Sequence, residues 1–145
     1  FRSKMKYVVL VSHGNFAKGL LDSLEMLAGK REEVIAVGLE NGITADQFAI
    51  DFAEAIKVIP SDAKIILLAD LIGGSPLTTA MSVLSSLNQM DNTLVLGGMN
   101  LPLALTTVLM KDTLDDDLLV ASVTSEATGA IKQFVLETKD EDDDI

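Results

Sequence analysis

The sequence of 145 residues contains no cysteine, no tryptophan and a single histidine, His13. The absence of cysteine excludes disulfides, thiolate catalysis and cysteine-ligated zinc, and it fits a reducing compartment. The single histidine excludes any site that needs two, such as a zinc centre built on a histidine pair. Basic charge is also scarce, since 11 basic residues against 22 acidic ones give a net charge of −11. This balance argues against nucleic acid or an anionic membrane as the main partner.

Long hydrophobic runs are missing as well. The longest apolar segments, such as residues 7–11 and 65–69, are far shorter than the roughly 20 residues of a transmembrane helix, and no signal-peptide pattern opens the chain. We therefore expect one cytoplasmic domain over residues 5–138, a length that can bury its own core. Residues 1–4 look like a remnant of cloning, and residues 139–145 are expected to form a solvated acidic tail.

Strand and helix patterns alternate along this domain. Continuous aliphatic and β-branched runs predict four buried strands, at residues 6–12, 34–39, 64–70 and 93–96. The intervening segments carry apolar residues at helical spacing, and a looser pattern at 131–136 suggests a fifth, final strand. The order β-α-β-α-β-α-β-α-α-β predicts an α/β fold of three αβα layers, with a mainly parallel open sheet.

Two helix starts carry capping signals. Thr44 stands three residues before Gln47, which is the spacing of a capping box. Ser75 is expected to cap the helix after the third strand, with Pro76 at the first helical position, where a missing N–H costs little.

The polar residues that can carry chemistry follow the strands. His13 and Gly14 come at the end of the first strand, Asp70 ends the third, and Asn100 follows the glycine pair after the fourth. In an open parallel sheet, ligands bind beyond the carboxyl ends of the strands, near the point where strand order reverses. We therefore expect His13 and Asp70 to share one rim, with Asn100 nearby.

This pairing suggests a specific chemistry. A carboxylate that accepts a hydrogen bond from Nδ1 of an imidazole fixes the ring tautomer and leaves Nε2 as a nucleophile; Asp70 can do this for His13. The turn at Gly73 and Gly74 would offer the backbone N–H groups of Gly74 and Ser75, together with the Ser75 hydroxyl, to a phosphoryl group. Gly14, next to His13, is a further candidate for binding the phosphoryl group. The combination predicts a phosphohistidine that is made and then passed on, without metal or cofactor.

Each of these signals is weak when taken alone. A lone histidine is more often an ordinary surface or core residue, and Gly-Gly-Ser-Pro is a common turn. Met26, near the end of the first helix, is expected to fill a gap in the core, as methionine often does. Met26 is also a candidate residue of the site rim, together with Gly73 and Asn100.

Taken together, four motifs resemble the IIA domain of the mannose–fructose–sorbose family of the bacterial sugar phosphotransferase system (PTS). They occur in order and cover most of the chain from Met5 to about Leu136. The motifs are V-L-V-S-H-G at the first strand, L-E-M-L-A-G at the end of the first helix, L-A-D-L-I-G-G-S-P-L-T after the third strand and G-G-M-N-L-P after the fourth.

The resemblance implies a cytoplasmic phosphoryl carrier. In that family a histidine takes phosphate at Nε2 from the phosphocarrier protein HPr and hands it to an EIIB component, which serves the EIIC and EIID membrane components. His13 matches the phosphorylated histidine, Asp70 the aspartate that orients it, and Ser75 the serine beside the phosphate. The family is dimeric, and in some members the last, antiparallel strand is exchanged between subunits. Residues 131–136 would be that strand.

The chain departs from the family pattern at a few places. Leu71 and Ile72 stand where better-known members carry a bulkier aromatic residue. No EIIB domain follows, so we expect EIIB to be a separate chain.

Three other functions share some of these features. A phosphohistidine donor to a dihydroxyacetone kinase is the main alternative, which the Gly-Gly-Ser-Pro loop moderately disfavours. A histidine phosphatase needs a second histidine and an arginine before the first, and a receiver domain needs an acidic pair after its first strand. Ser12 and His13 satisfy neither requirement.

Overall fold

The computed structural model describes residues 5–138, so the predicted remnant at 1–4 and the acidic tail at 139–145 lie outside the described residues. The strands within this range are β1 (Tyr7–His13), β2 (Val34–Leu39), β3 (Ile65–Ala69) and β4 (Thr93–Leu96). The α-helices are α1 (Phe16–Ala28), α2 (Ala45–Ala55), α3 (Ser75–Ser86), α4 (Leu101–Met110) and α5 (Asp116–Gly129). No helix in the described part of the chain is both long and apolar enough to cross a membrane.

The four strands form one parallel sheet in the order β2-β1-β3-β4. The register places Val9 of β1 between Ile35 of β2 and Leu67 of β3. The chain moves outward from β1 to β2, then crosses back to β3 on the other side of β1. Strand order therefore reverses between β1 and β3, and a crevice at their carboxyl ends is the expected position of a site.

The strands are buried on both faces because helices cover both sides of the sheet. Alternate residues of a strand point to opposite faces. Val8 and Leu10 of β1 pack in a cluster with α1, α4 and α5, whereas Val9 and Val11 pack in a second cluster with α2 and α3. The predicted three-layer αβα fold with a parallel sheet is confirmed.

One of the two predicted helix caps is present and the other is not. The hydroxyl of Thr44 accepts a hydrogen bond from the backbone N–H of Gln47 at 3.1 Å, as predicted. The prediction for Ser75 is wrong by one residue: Gly74 is the N-cap, Ser75 is the first helical residue and Pro76 the second. Gly74 is already extended (φ −84°, ψ 165°) and its carbonyl accepts the first helical hydrogen bond, from Thr78. The Ser75 hydroxyl is consequently not used as a cap.

The predicted fifth strand is not confirmed in the described chain. Residues 131–136 follow α5 without entering the sheet, and β4 is left as an edge strand. The large apolar side chains of this segment are 65–83% exposed; they belong to Ile131, Phe134, Val135 and Leu136. A strand needs a neighbour to satisfy its backbone groups, and the single chain does not provide one here.

Candidate active site

His13 and Asp70 meet where strand order reverses. His13 is the last residue of β1, and Asp70 directly follows the adjacent strand β3. The ring Nδ1 of His13 lies 2.9 Å from Oδ2 of Asp70. The backbone N–H of His13 donates to the same oxygen at 2.9 Å, and the backbone N–H of Leu71 donates to Oδ1 at 2.8 Å. The carboxylate is thus clamped by the backbone at the same time as it holds the ring.

The surroundings of Asp70 determine its charge. Burial raises the pKa of this carboxyl, but hydrogen bonds from the backbone N–H of His13, from the His13 ring and from the backbone N–H of Leu71 outweigh burial, so its pKa lies below the ordinary value. Asp70 is therefore ionised at neutral pH and can only accept hydrogen bonds. In the neutral form of the His13 ring, Nδ1 therefore carries the proton and Nε2 carries the lone pair.

The two side chains differ in their access to solvent. The Asp70 side chain is 16% exposed, whereas the His13 side chain is 47% exposed. The orienting group is shielded while the ring is open to a partner. This arrangement suits a nucleophile that reacts with a group presented by another molecule.

Gly74 lies directly against the imidazole. A Cβ placed on Gly74 would be 2.8 Å from Cε1 and 3.3 Å from Nε2 of His13. Because glycine lacks that atom, space remains beside Nε2. In the turn before Gly74, Gly73 has a φ of +89°, which is in the left-handed region that favours glycine.

The start of α3 brings its positive end to the same edge. Gly74 is the N-cap and exposed Ser75 opens the helix. The first N–H groups of a helix have no partner within it and attract anions. Gly74 lies against the His13 ring, and Ser75 follows it as the first residue of α3.

The turn from β1 into α1 is held by its neighbours. Gly14 has a φ of +56°, and its N–H donates to the carbonyl of Leu39 on β2 at 2.7 Å. The hydroxyl of Ser12, which is fully buried, accepts a hydrogen bond from the N–H of Ala17 at 2.7 Å. Sequence reasoning missed Ser12 as an anchor for the turn that carries His13. The available signal was a hydroxyl within an otherwise apolar strand.

Two other predicted rim residues have different positions. Asn100 follows β4 at the same edge of the sheet, but its side chain caps α4 at Leu103 N and donates to the carbonyl of Ala127 at 3.3 Å. It therefore joins α4 to α5. Met26 lies in the last turn of α1, which starts beside His13 and runs away from it, so the structure does not bring Met26 to the rim. Met26 is also 84% exposed, so its interpretation as core is wrong.

Among residues 5–138, no group of three histidine, aspartate or glutamate side chains is arranged to hold a metal ion. The chemistry available at this rim is that of an oriented imidazole beside a glycine-rich helix start.

The sequence model described as PTS system fructose IIA component matches residues 7–124. The chain belongs to this EIIA-man family. It is 29% identical over 105 residues to the PTS system fructose-specific EIIA component of Bacillus subtilis (strain 168), a match that covers 72% of this chain and 70% of that protein. The family relationship makes it a phosphotransferase component, of the kind that carries phosphoryl groups in the sugar PTS.

Two further comparisons agree with this assignment. The chain is 27% identical over 105 residues to the PTS system mannose-specific EIIAB component of Escherichia coli (strain K12), covering 72% of this chain but only 32% of that protein. The crystal structure of the phosphotransferase system component EIIA from Streptococcus agalactiae is similar with a TM-score of 0.75 and 27% identity, covering 89% of this chain and 97% of the other.

The lowered pKa of Asp70 leads to a prediction about acid stability. Because the folded pKa is below the ordinary value of 3.8, the carboxylate contributes stability above that value, and the contribution is lost as pH falls through the folded pKa. Asp70→Asn lacks this contribution at every pH. We expect the difference in unfolding free energy between wild type and D70N, measured by urea denaturation, to shrink as the pH falls below 3.8.

Titration of the other carboxylates is shared by both proteins and cancels in this difference. If the difference in unfolding free energy stays the same down to the lowest pH at which both proteins fold, the lowered pKa of Asp70 is contradicted.

Proposed function

We propose that the chain is the cytoplasmic EIIA phosphoryl carrier of a sugar PTS and that Nε2 of His13 carries the phosphoryl group. The observation that supports this most strongly is the 2.9 Å hydrogen bond between His13 Nδ1 and Asp70 Oδ2. It occupies one ring nitrogen and leaves the other as a nucleophile on a half-exposed ring.

The transfer requires few changes in this site. The lone pair of Nε2 attacks phosphorus on the phosphorylated donor, and the bond between phosphorus and the donor nitrogen breaks, with its electron pair returning to the donor. The His13 ring gains positive charge while Nδ1 keeps its proton, and Asp70 stabilises that charge. Attack by a nucleophile of the next carrier then reverses these steps.

Backbone dipoles are proposed to hold the phosphoryl oxygens. Gly74 lies against the imidazole, and the helix start at Ser75 offers N–H groups and a hydroxyl. The N–H of Gly14 already donates to the carbonyl of Leu39, so Gly14 is not among the proposed donors. The loops that follow β1, β3 and β4 contain no lysine or arginine. Stabilisation without a full positive charge is moderate, which suits a carrier that has to release its phosphoryl group.

The proposed partners are HPr as donor and EIIB as acceptor, with EIIC and EIID downstream. Transfer between two proteins requires a surface around Nε2 that a protein can contact. Phe16, Leu71 and Ile72 are exposed apolar residues within three positions of His13 or Asp70 in the chain. They provide apolar contact area next to the ring, as protein interfaces commonly do.

The phosphorylation proposal is tested with radiolabelled phosphoenolpyruvate, Enzyme I and HPr. We expect one acid-labile, base-stable phosphoryl group per chain and complete loss of label in His13→Ala, because the sequence has no second histidine. Asp70→Ala should still be labelled, but with a transfer rate lower by on the order of 100-fold, since the ring is no longer oriented.

Circular dichroism of both variants checks that they fold. Label that persists in His13→Ala, or a base-labile acyl phosphate, would rule out His13 as the carrier.

We also propose that the protein is a homodimer in which residues 131–136 are exchanged. Ile131 lies beside Gly97 and Gly98 in a small cavity, so the segment after α5 begins at the carboxyl end of β4. A strand that starts there runs antiparallel to β4, whose outer edge is unpaired in the described chain. Pairing with the β4 edge of a second copy would satisfy the backbone hydrogen bonds of residues 131–136 and of the β4 edge. It would also cover the exposed apolar side chains.

Sedimentation tests this arrangement. Wild type should be a dimer at micromolar concentration, and Phe134→Asp should shift the equilibrium towards monomer because a charge would replace an apolar contact. Ile50→Asp, at an exposed position of α2, is the matched control and should stay dimeric. A compact wild-type monomer under these conditions would count against the exchange.

A further inference from the structure

Gly38 of β2 is needed for space and not for its backbone conformation. It pairs with Ser12 of β1 in the sheet register. A Cβ placed on Gly38 would overlap the carbonyl oxygen of Gly14 and lie 3.4 Å from its carbonyl carbon. Its φ is not in the left-handed region, unlike that of Gly14. The backbone of the turn after His13 therefore occupies the volume that a side chain at position 38 would fill.

The same turn determines how the His13 ring is held. The N–H of Gly14 donates to the carbonyl of Leu39 at 2.7 Å, so both polar backbone atoms of Gly14 rest on β2. Immediately before it, the backbone N–H and the ring Nδ1 of His13 both bind Oδ2 of Asp70, each at 2.9 Å. Because the two bonds share one oxygen, a displacement of the backbone at residues 13–14 must also displace or rotate the ring.

We propose that Gly38 is a positioning residue for His13. By having no side chain, it allows the carbonyl of Gly14 to pack against β2, and this fixes the orientation of the imidazole on Asp70. The three atoms nearest to a Cβ placed on Gly38 belong to Gly14 and Ser12, so the effect on the ring is indirect. The inference rests on the proposed role of His13 as phosphoryl carrier, and it assigns to β2 a part in the site that the His13–Asp70 pair alone does not reveal.

The effect of a methyl group at position 38 can be compared with the effect of a methyl group at a glycine that has open space beside it. Gly19, in α1, has no atom within 4 Å of a Cβ placed on it. Gly38→Ala and Gly19→Ala are therefore the same chemical change, with a backbone clash in one case and open space in the other. Helical Gly19→Ala should leave the site unchanged.

Two measurements on these variants test the proposal. Nitrogen-15 NMR reports the tautomer of the single imidazole, and a rapid-quench assay reports transfer from phosphorylated HPr. For Gly38→Ala we expect loss of the uniform Nδ1–H tautomer and transfer slowed by about 10- to 100-fold, the scale expected for a displacement of up to 1 Å. Gly19→Ala should match wild type in both measurements.

Gly38→Ala with wild-type ring signals and a transfer rate within about twofold of wild type would overturn the proposal. An unfolded Gly38→Ala would also overturn it, because the residue would then serve folding and not ring orientation. The NMR measurement is independent of HPr. Absence of phosphorylation in wild type, together with the expected tautomer change, would reject the carrier function while supporting the positioning role.

A further measurement needs no variant. The Gly14 amide should exchange slowly with solvent, because it donates to Leu39 within the sheet. Exchange as fast as that of Gly42, a glycine in the exposed turn before α2, would show that the turn is not held on β2 and would overturn the proposal.

Discussion

The hydrogen bond from His13 Nδ1 to Asp70 Oδ2 is the interaction on which the proposed chemistry depends. It decides which ring nitrogen is protonated and therefore which one can attack phosphorus. A carboxylate beside a sheet core is costly to bury, and two backbone N–H groups, from His13 and Leu71, offset that cost. The same contacts hold the carboxylate in place, so the ring is oriented by a group that has little freedom to move.

The strand order of the sheet brings His13 and Asp70 together. β1 and β3 are adjacent because the chain reverses its direction of travel across the sheet between β2 and β3, so residues far apart in sequence end at one edge. Around the ring, close packing is possible because glycines occupy the contact points. Gly74 leaves space beside Nε2, and a side chain at Gly97 would overlap Ile72 of the loop after Asp70. Both contacts are made with exposed side chains, since Ile72 is 79% and the His13 side chain 47% exposed, so this packing lies at the surface where a partner would bind.

The sequence was sufficient for the features that depend on local pattern. Uninterrupted apolar runs predicted all four strands of the parallel sheet, and the residues at their ends predicted the meeting of His13 and Asp70. Prediction failed where the outcome depends on tertiary detail. The N-cap of α3 is Gly74 and not Ser75 because Gly74 is extended in this turn. Helical spacing alone did not show that Met26 is exposed. Ser12 and Gly38 matter through the backbone they touch, which a sequence pattern does not show. The strand at 131–136 needs a second chain, and it stays a prediction.

In the proposed mechanism, Asp70 binds the proton on Nδ1 and leaves Nε2 for the phosphoryl group. The most direct measurement is heteronuclear NMR of the phosphorylated protein, in which the single imidazole removes any ambiguity of assignment. We expect coupling of phosphorus to Nε2, with the proton retained on Nδ1. Phosphorus bound to Nδ1, or to a carboxylate oxygen, would contradict it.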